Sequence, residues 1–402
     1  MSEESFGQAL RRHRRAAGLS QAQLAQELHL DQGNLSRYEN DRQRPEPATV
    51  DALDALLCAD GELRARATAA PPQTATRGIP AAGAVQPSDE TDAMELARRV
   101  AASDISAETL AQLEMAFDDL ATAYPASSPH DLLPRLREHL GYISQLIDAP
   151  RKTLAAHRHL LVLGGWFSLL AATVHIDLNQ HAPATARLRT AASLATHADQ
   201  DEIRAWCYET EAWRTLTSGN YRRAAELSQH AQAIAPTGSS AEIQATAQEG
   251  RAWARLGAAD ATYRTVERVH SLSAHLPKPV PAEHHYRYDP GKAAAYTATT
   301  LAWLGDPEGE QHAREVIARF RPTNDFQPWP RRYATAHVDL ALCAARNGRL
   351  DEAADAAQTA IESGQVAPSN WWRVREVLNH VTAGKLPTAG ELQDSYRTMT
   401  SR

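Results

Sequence analysis

Gln32, Asn34, Ser36 and Arg37 lie within six consecutive residues, and their side chains suit the hydrogen-bonding edges of nucleic-acid bases. In a major groove Gln and Asn can pair with adenine and Arg with guanine. That chemistry needs all of them on one exposed helical surface. The spacing predicts such a helix, with Asp31 as its N-cap and Leu35 and Tyr38 turned inward. Gln32, Gly33, Asn34, Ser36 and Arg37 are left pointing out. Just upstream, Ser20 is a good N-cap and Gln23 can return its hydrogen bond, so SQAQ has the capping-box form. Leu24, Ala25 and Leu28 share one face of the helix that follows. The stretch from Ser20 to Arg44, SQAQLAQELHLDQGNLSRYENDRQR, therefore reads as two short helices, a tight turn and an arginine-bearing loop. Two amphipathic helices of an ordinary bundle are the alternative.

GLSQAQLAQEL…LSRYEN resembles the helix-turn-helix of lambdoid repressors and Cro proteins, the XRE family of bacterial regulators. The resemblance implies a five-helix DNA-binding domain over residues 1–68, opened by a helix at 5–17 and closed by two helices after Pro45, Pro47 and Gly61. It implies that Gln21 bonds a backbone phosphate, that Gln32, Gly33 and Arg37 read bases, and that Asn40, Arg42 and Arg44 hold the phosphodiester. Arg14 aligns with a position that pairs with the glutamate of YEN, here Glu39; a surface arginine near phosphate is the alternative. One residue departs from the pattern. Asp41 stands where a glycine is common, so poorer tolerance of a left-handed backbone and a negative charge near DNA are expected.

Length and composition bound the rest. A chain of 402 residues has room for two or three domains, and 43% hydrophobic residues can bury a large core. Much of that content is alanine, with only 6% aromatic residues, which predicts an all-α protein. Cys58, Cys207 and Cys343 are too far apart to imply a disulfide framework. The N-terminus lacks the apolar core of a signal peptide, and the longest apolar run, LLVLGGWFSLLAATV at 160–174, is short and glycine-rich for a membrane span. A cytoplasmic chain with no membrane partner is expected. No HExxH, GxxxxGK[ST], GxSxG or glycine-rich dinucleotide turn occurs, so neither an enzyme nor a cofactor is expected. Net charge is −7. Residues 11–44 nevertheless hold seven Arg against four acids, and 46–62 five acids and no Arg. A basic face opposite an acidic one predicts few phosphate contacts and weak non-specific DNA binding.

Residues 69–91, rich in Pro, Gly, Ala and Thr, read as a flexible linker. Helical patterns resume at Asp92 and continue to 385, with residues 386–402 expected to fray. Within that region AWCYETEAWRTLTSGNYRRAAELSQHAQAIAP (205–236) resembles a tetratricopeptide repeat, with Gly219, Tyr221, Ala224, Ala231 and Pro236 at repeat positions. Weaker copies run over 165–194, 243–272, 291–320 and 334–364, placing turns at 179, 219, 257, 305 and 348. A TPR-like α-solenoid follows, capped by 369–381. The segment 276–292, LPKPVPAEHHYRYDPGK, is an insertion. Its His284 and His285 lack suitably spaced ligands, so no metal is expected, and Tyr286, Tyr288, Asp289 and Lys292 are expected to fold it onto the repeats.

If the first helix of each repeat lines the concave side, that side carries Trp166, Thr173, Trp206, Glu209, Trp213, Gln244, Arg251, Lys292 and Thr299. Aromatics with both charge signs suit a peptide, a small molecule or a protein partner. Inter-repeat packing is the alternative for Trp206 and Trp213. The leading expectation is a sequence-specific transcriptional regulator, homodimeric on a two-fold DNA operator. The other reading is an interaction scaffold that sequesters a protein, with DNA binding secondary.

Overall fold

The computed structural model describes residues 4–28, 30–41, 43–68, 101, 103–276, 283–321 and 329–401. Every regular element among them is helical. The chain divides into two compact units, 1–86 and 87–402; the proposed linker at 69–91 and the helical pattern at 92–100 lie outside the described residues.

The first unit holds α1 (Phe6–Ala16), α2 (Gln21–Glu27), α3 (Gln32–Glu39), α4 (Pro47–Leu56) and α5 (Glu62–Thr68). Local chemistry sets their starts. Ser5 and Gln8 close a capping box on α1, and Ser20 and Gln23 close another on α2. The Asp31 side chain accepts from Asn34 N at 3.2 Å to start α3. Pro47 occupies the first turn of α4, where its missing N–H costs nothing. The buried Asp54 carboxylate accepts from Gly61 N and Leu63 N at 2.9 and 3.0 Å, which orders the entry to α5. Leu10, Leu24, Leu35, Leu53 and Leu63, all fully buried, form the core. α1 crosses the C-terminal end of α3 so closely that a Cβ on Gly7 would lie 2.7 Å from the carbonyl oxygens of Tyr38 and Glu39.

The second unit begins with α6 (Ala107–Ala123) and α7 (Pro129–Asp148). Five helix pairs follow: α8 (Leu154–Asp177) with α9 (His181–His197), α10 (Asp201–Thr217) with α11 (Tyr221–Ile234), α12 (Ser240–Arg255) with α13 (Ala259–Ser273), α14 (Pro290–Leu304) with α15 (Glu308–Arg319), and α16 (Pro330–Arg346) with α17 (Leu350–Glu362). A 3-10 turn at Pro368–Asn370 leads to α18 (Trp371–Ala383) and α19 (Ala389–Thr400). Within each pair the chain turns at a left-handed residue: Asn179, Gly219, Gly257, Gly305 and Gly348. Ala184 and Ala191, Ala224 and Ala231, and Ala353 and Ala360 are fully buried where the paired helices meet, since a larger side chain would hold the backbones apart. First helices also pack on the next first helix, from α8 through α18. They form one inner row.

Two expectations need correction here. Residues after 385 were expected to fray, yet α19 buries Leu392 against α17 and α18 with Tyr396 half-buried beside it. The four-residue spacing of these apolar side chains finds a surface that the earlier helices supply. The apolar run at 160–174 sits inside a longer helix than expected. α8 has 24 residues and a mean hydropathy of 1.6 over its most apolar window, enough by length and composition to cross a membrane. Because 78% of that window is buried inside the unit, α8 is a core helix.

Candidate functional site

The exposed side of α3 is short and polar. Gln32, Gly33 and Arg37 are exposed and Asn34 and Ser36 half-buried, while Leu35, Tyr38 and Glu39 face the core. Arg37 Nη2 donates to Asn34 Oδ1 at 2.5 Å, which orients the guanidinium along the helix and leaves its other N–H groups outward. Gln32 offers both a donor and an acceptor. Beneath this surface is a buried ion pair. Arg14 Nε and Nη2 donate to the two Glu39 carboxylate oxygens at 2.5 and 3.1 Å, and Arg14 Nη1 donates to Leu19 O at 2.7 Å. Burial alone would raise the Glu39 pKa; Arg14, Gln21 and Arg11 reverse this and hold the carboxyl below its ordinary value.

Three residues assigned to phosphate differ from the expectation or escape description. Gln21 Nε2 donates inward to Glu39 Oε2 at 2.8 Å, so part of its hydrogen-bonding capacity serves the ion pair. Asn40 is held from both sides: its Nδ2 donates to Ser36 O, and Arg11 Nη2 donates to its Oδ1, both at 2.7 Å. It finishes α3 and ties it to α1. Arg42 lies outside the described residues, and Arg44 is exposed. Asp41 does adopt the left-handed backbone, with φ 54°. The carboxylate is not aimed where the sequence suggested. It accepts from Gly7 N at 2.7 Å and Ser5 Oγ at 2.5 Å, at the positive N-terminal end of α1. Neither Gly7 nor Ser5 has an assigned role in the sequence pattern; a glycine inside a helical pattern, just after a serine able to cap it, was the available signal.

The second unit gathers a different set. Of the inner-row candidates, Thr173, Glu209, Trp213, Gln244, Arg251, Lys292 and Thr299 line one cavity of about 170 Å3 to which α8, α10, α12, α14, α16 and α18 all contribute. Trp166 and Trp206 do not. Both turn toward Tyr286, whose ring centre lies 5.1 Å from each, with Phe117 stacked on it at 5.9 Å. The insertion supplies this ring. Residues 283–289 run inside the row, tied by His285 N to Ala121 O at 3.0 Å and by Tyr288 N to Ser240 Oγ at 2.9 Å. Tyr286 is 3% exposed, so the aromatics expected to grip a ligand grip the protein's own chain. His284 faces Asp118 at 3.2 Å and His285 lies against Tyr124.

The row also closes on itself. Asp177, at the end of α8, is buried and accepts from Tyr124 Oη at 2.7 Å, Arg331 Nη1 at 2.9 Å and Ser369 Oγ at 2.8 Å. Residues early and late in the unit meet there. Around the cavity most cations are paired: Arg331 with Asp177, Arg332 with Asp289 and Glu283, and Arg373 with Asp339. Arg251 stacks over the Tyr296 ring, 4.1 Å from its centre, and Lys292 Nζ donates to His285 O at 2.8 Å. Burial would raise the Tyr296 phenol, but Arg251 and Lys292 pull it below its ordinary value. Glu209 moves the other way. Burial pushes its carboxyl above the usual range, and its contact with the Gln244 amide does not undo that.

Residues 5–67 match the family model of a helix-turn-helix domain. No curated protein matches the chain. The N-terminal unit is thus a helix-turn-helix domain, which suggests a DNA-binding regulator, and it is followed by a helical repeat-like body.

Proposed function

We propose that this chain is a sequence-specific transcriptional regulator in which α3 enters the major groove of an operator and the repeat body, tetratricopeptide-like in design, serves dimerisation and effector sensing. It acts in the cytoplasm, as a homodimer and without catalysis. The observation that carries the reading is the exposed polar edge of α3, Gln32, Gly33 and Arg37, seated on a buried Arg14–Glu39 pair within a matched helix-turn-helix segment. A rigid helix with outward donors and acceptors is what base reading requires. The filled interior of the body, with Tyr286 among the tryptophans, favours a small effector over an extended peptide or a sequestered protein.

Selection of bound sites from random duplexes by the full chain tests this directly. The chain should enrich a two-fold-related sequence. Gln32→Ala with Arg37→Ala should abolish the enrichment while helix content stays constant. Arg37→Ala alone should weaken binding by about 1–3 kcal/mol if it reads a guanine, and relax selectivity at a single position of each half-site. Undiminished selectivity in the double variant would remove α3 as the reading element.

A further inference from the structure

A cationic group in a protein interior normally lies against an acid, because an unpaired buried charge costs several kcal/mol. The half-buried Arg251 and the buried Lys292 depart from this. Among the described residues neither has a carboxylate within 4.0 Å, although Lys292 is only 4% exposed. Lys292 has a single backbone carbonyl and the faces of Trp206 and Tyr288. Arg251 has the Tyr296 face and the Gln248 side chain, and its Nε has no partner. A guanidinium cannot shed its charge to escape the cost. Both side chains line the 170 Å3 cavity.

The same cavity holds an unused acceptor. Gln244, 4% exposed, donates from Nε2 to Glu209 Oε1 at 2.9 Å and to Tyr296 Oη at 3.0 Å, yet its Oε1 is buried with no partner. Glu209, 5% exposed, has no cation in contact among the described residues. Donors with positive charge and acceptors in want of a donor thus share one space. Its size is of the order of a cavity that holds benzene, room for about six to ten non-hydrogen atoms.

We propose that this cavity binds a small carboxylic acid bearing an amino or hydroxyl group close to the carboxylate. Arg251 and Lys292 take the carboxylate, and Gln244 Oε1 with Glu209 accepts from the neighbouring N–H or O–H. Charge-assisted bonds to a ligand carboxylate supply the directly contacting counter-charge that Arg251 and Lys292 lack, since Glu209, Glu283 and Asp289 act on them only at longer range. The word effector for this ligand rests on the regulator reading; the binding itself does not.

Calorimetric titration of the full chain with individual L-amino acids, and in a separate arm with glycolate and L-lactate, tests the assignment. Propionate and ethylamine serve as probes that carry only one of the two groups. At least one doubly substituted acid should bind one-to-one more tightly than about 1 mM, and propionate and ethylamine roughly tenfold or more weakly than that acid. The arm that binds distinguishes amino from hydroxy acids. Arg251→Met and Lys292→Met should each cost roughly tenfold or more in affinity. Gln244→Leu, which leaves both charges in place, should lower affinity for the substituted acid while leaving propionate unchanged. That variant keeps the test decisive if loss of a charge unfolds the body. No heat from any doubly substituted acid, or equal affinity in all three variants, would overturn the site. Selection of DNA sites in the same preparations separates the two readings: failure of ligand binding with selectivity intact leaves the regulator standing, and ligand binding without selectivity does the reverse.

Discussion

Glu39 shows how much one side chain can hold together. It accepts from Arg14 and Gln21 with no exposed surface of its own, and Arg11 lies 3.5 Å away. Replacing it by Ala leaves the Arg14 guanidinium buried without a counter-ion, so the helix-turn-helix unit should lose about 3–5 kcal/mol. Arg14→Met with Glu39→Leu removes both charges and should cost less than Glu39→Ala alone, as read by hydrogen exchange of the α1 and α3 amides. A double variant as unstable as the single one would mean that the side-chain shape, not the charge, is what matters. The pH dependence has a definite sign. Because the folded carboxyl is held below its ordinary 4.5, its contribution is complete above that value and is lost as pH falls through the lowered one.

At the scale of helices, close approach and helical propensity pull glycine substitutions in opposite directions. A Cβ on Gly7 would meet backbone oxygens of α3 at 2.7 Å, atoms that cannot swing aside. Gly7→Ala should therefore destabilise the first unit by about 1–3 kcal/mol, despite alanine's better propensity. Gly141 lies within α7, exposed, with nothing inside 4 Å of an added Cβ. There the propensity gain is unopposed, and Gly141→Ala should stabilise the body by about 0.5–1 kcal/mol in a urea titration. The pair forms an internal control: the same substitution, opposite signs, decided by what stands beyond the Cβ. If Gly7→Ala also stabilised, α1 and α3 would have to lie farther apart than described.

For the second unit as a whole, the 283–289 segment, which buries His284, Tyr286, Tyr288 and Asp289, makes stability depend on histidine charge. Burial, with Arg287 and Lys292 nearby, lowers the His284 pKa from 6.5 to about 4, and Asp118 offsets this only in part. The folded state therefore keeps His284 neutral where the unfolded chain has already taken up a proton. Stability should be steady above pH 6.5 and fall as pH drops from 6.5 to about 4, by up to roughly 3 kcal/mol from this residue. The melting temperature of His284→Asn, which cannot charge, should decline less over that interval. Equal declines would show that Asp118 already holds a protonated His284 in the fold. Long-range ties like this one join residues more than a hundred positions apart, as do Asp177 with Arg331 and Asp177 with Ser369. They form only when the helix row has curved back on itself.

Local physics was legible from the residues alone. Ser20 and Asp31 cap their helices, the five turn residues are left-handed, and Ala224 and Ala231 are buried. Each follows from the backbone preferences of a few neighbours in the chain. The outward edge of α3 belongs to the same class, since a 3.6-residue period assigns faces without reference to distant atoms. Tertiary structure decided the rest. It turned Trp166 and Trp206 onto Tyr286, engaged Gln21 with the Glu39 carboxylate beneath α3 and Asn40 with Arg11 at its end, aimed Asp41 at the start of α1, and brought Arg251, Lys292 and Gln244 around one cavity. None of these contacts has a sequence period. They depend on how far successive helix pairs rotate, which is set by the summed packing of many side chains and not by the residues that end up touching.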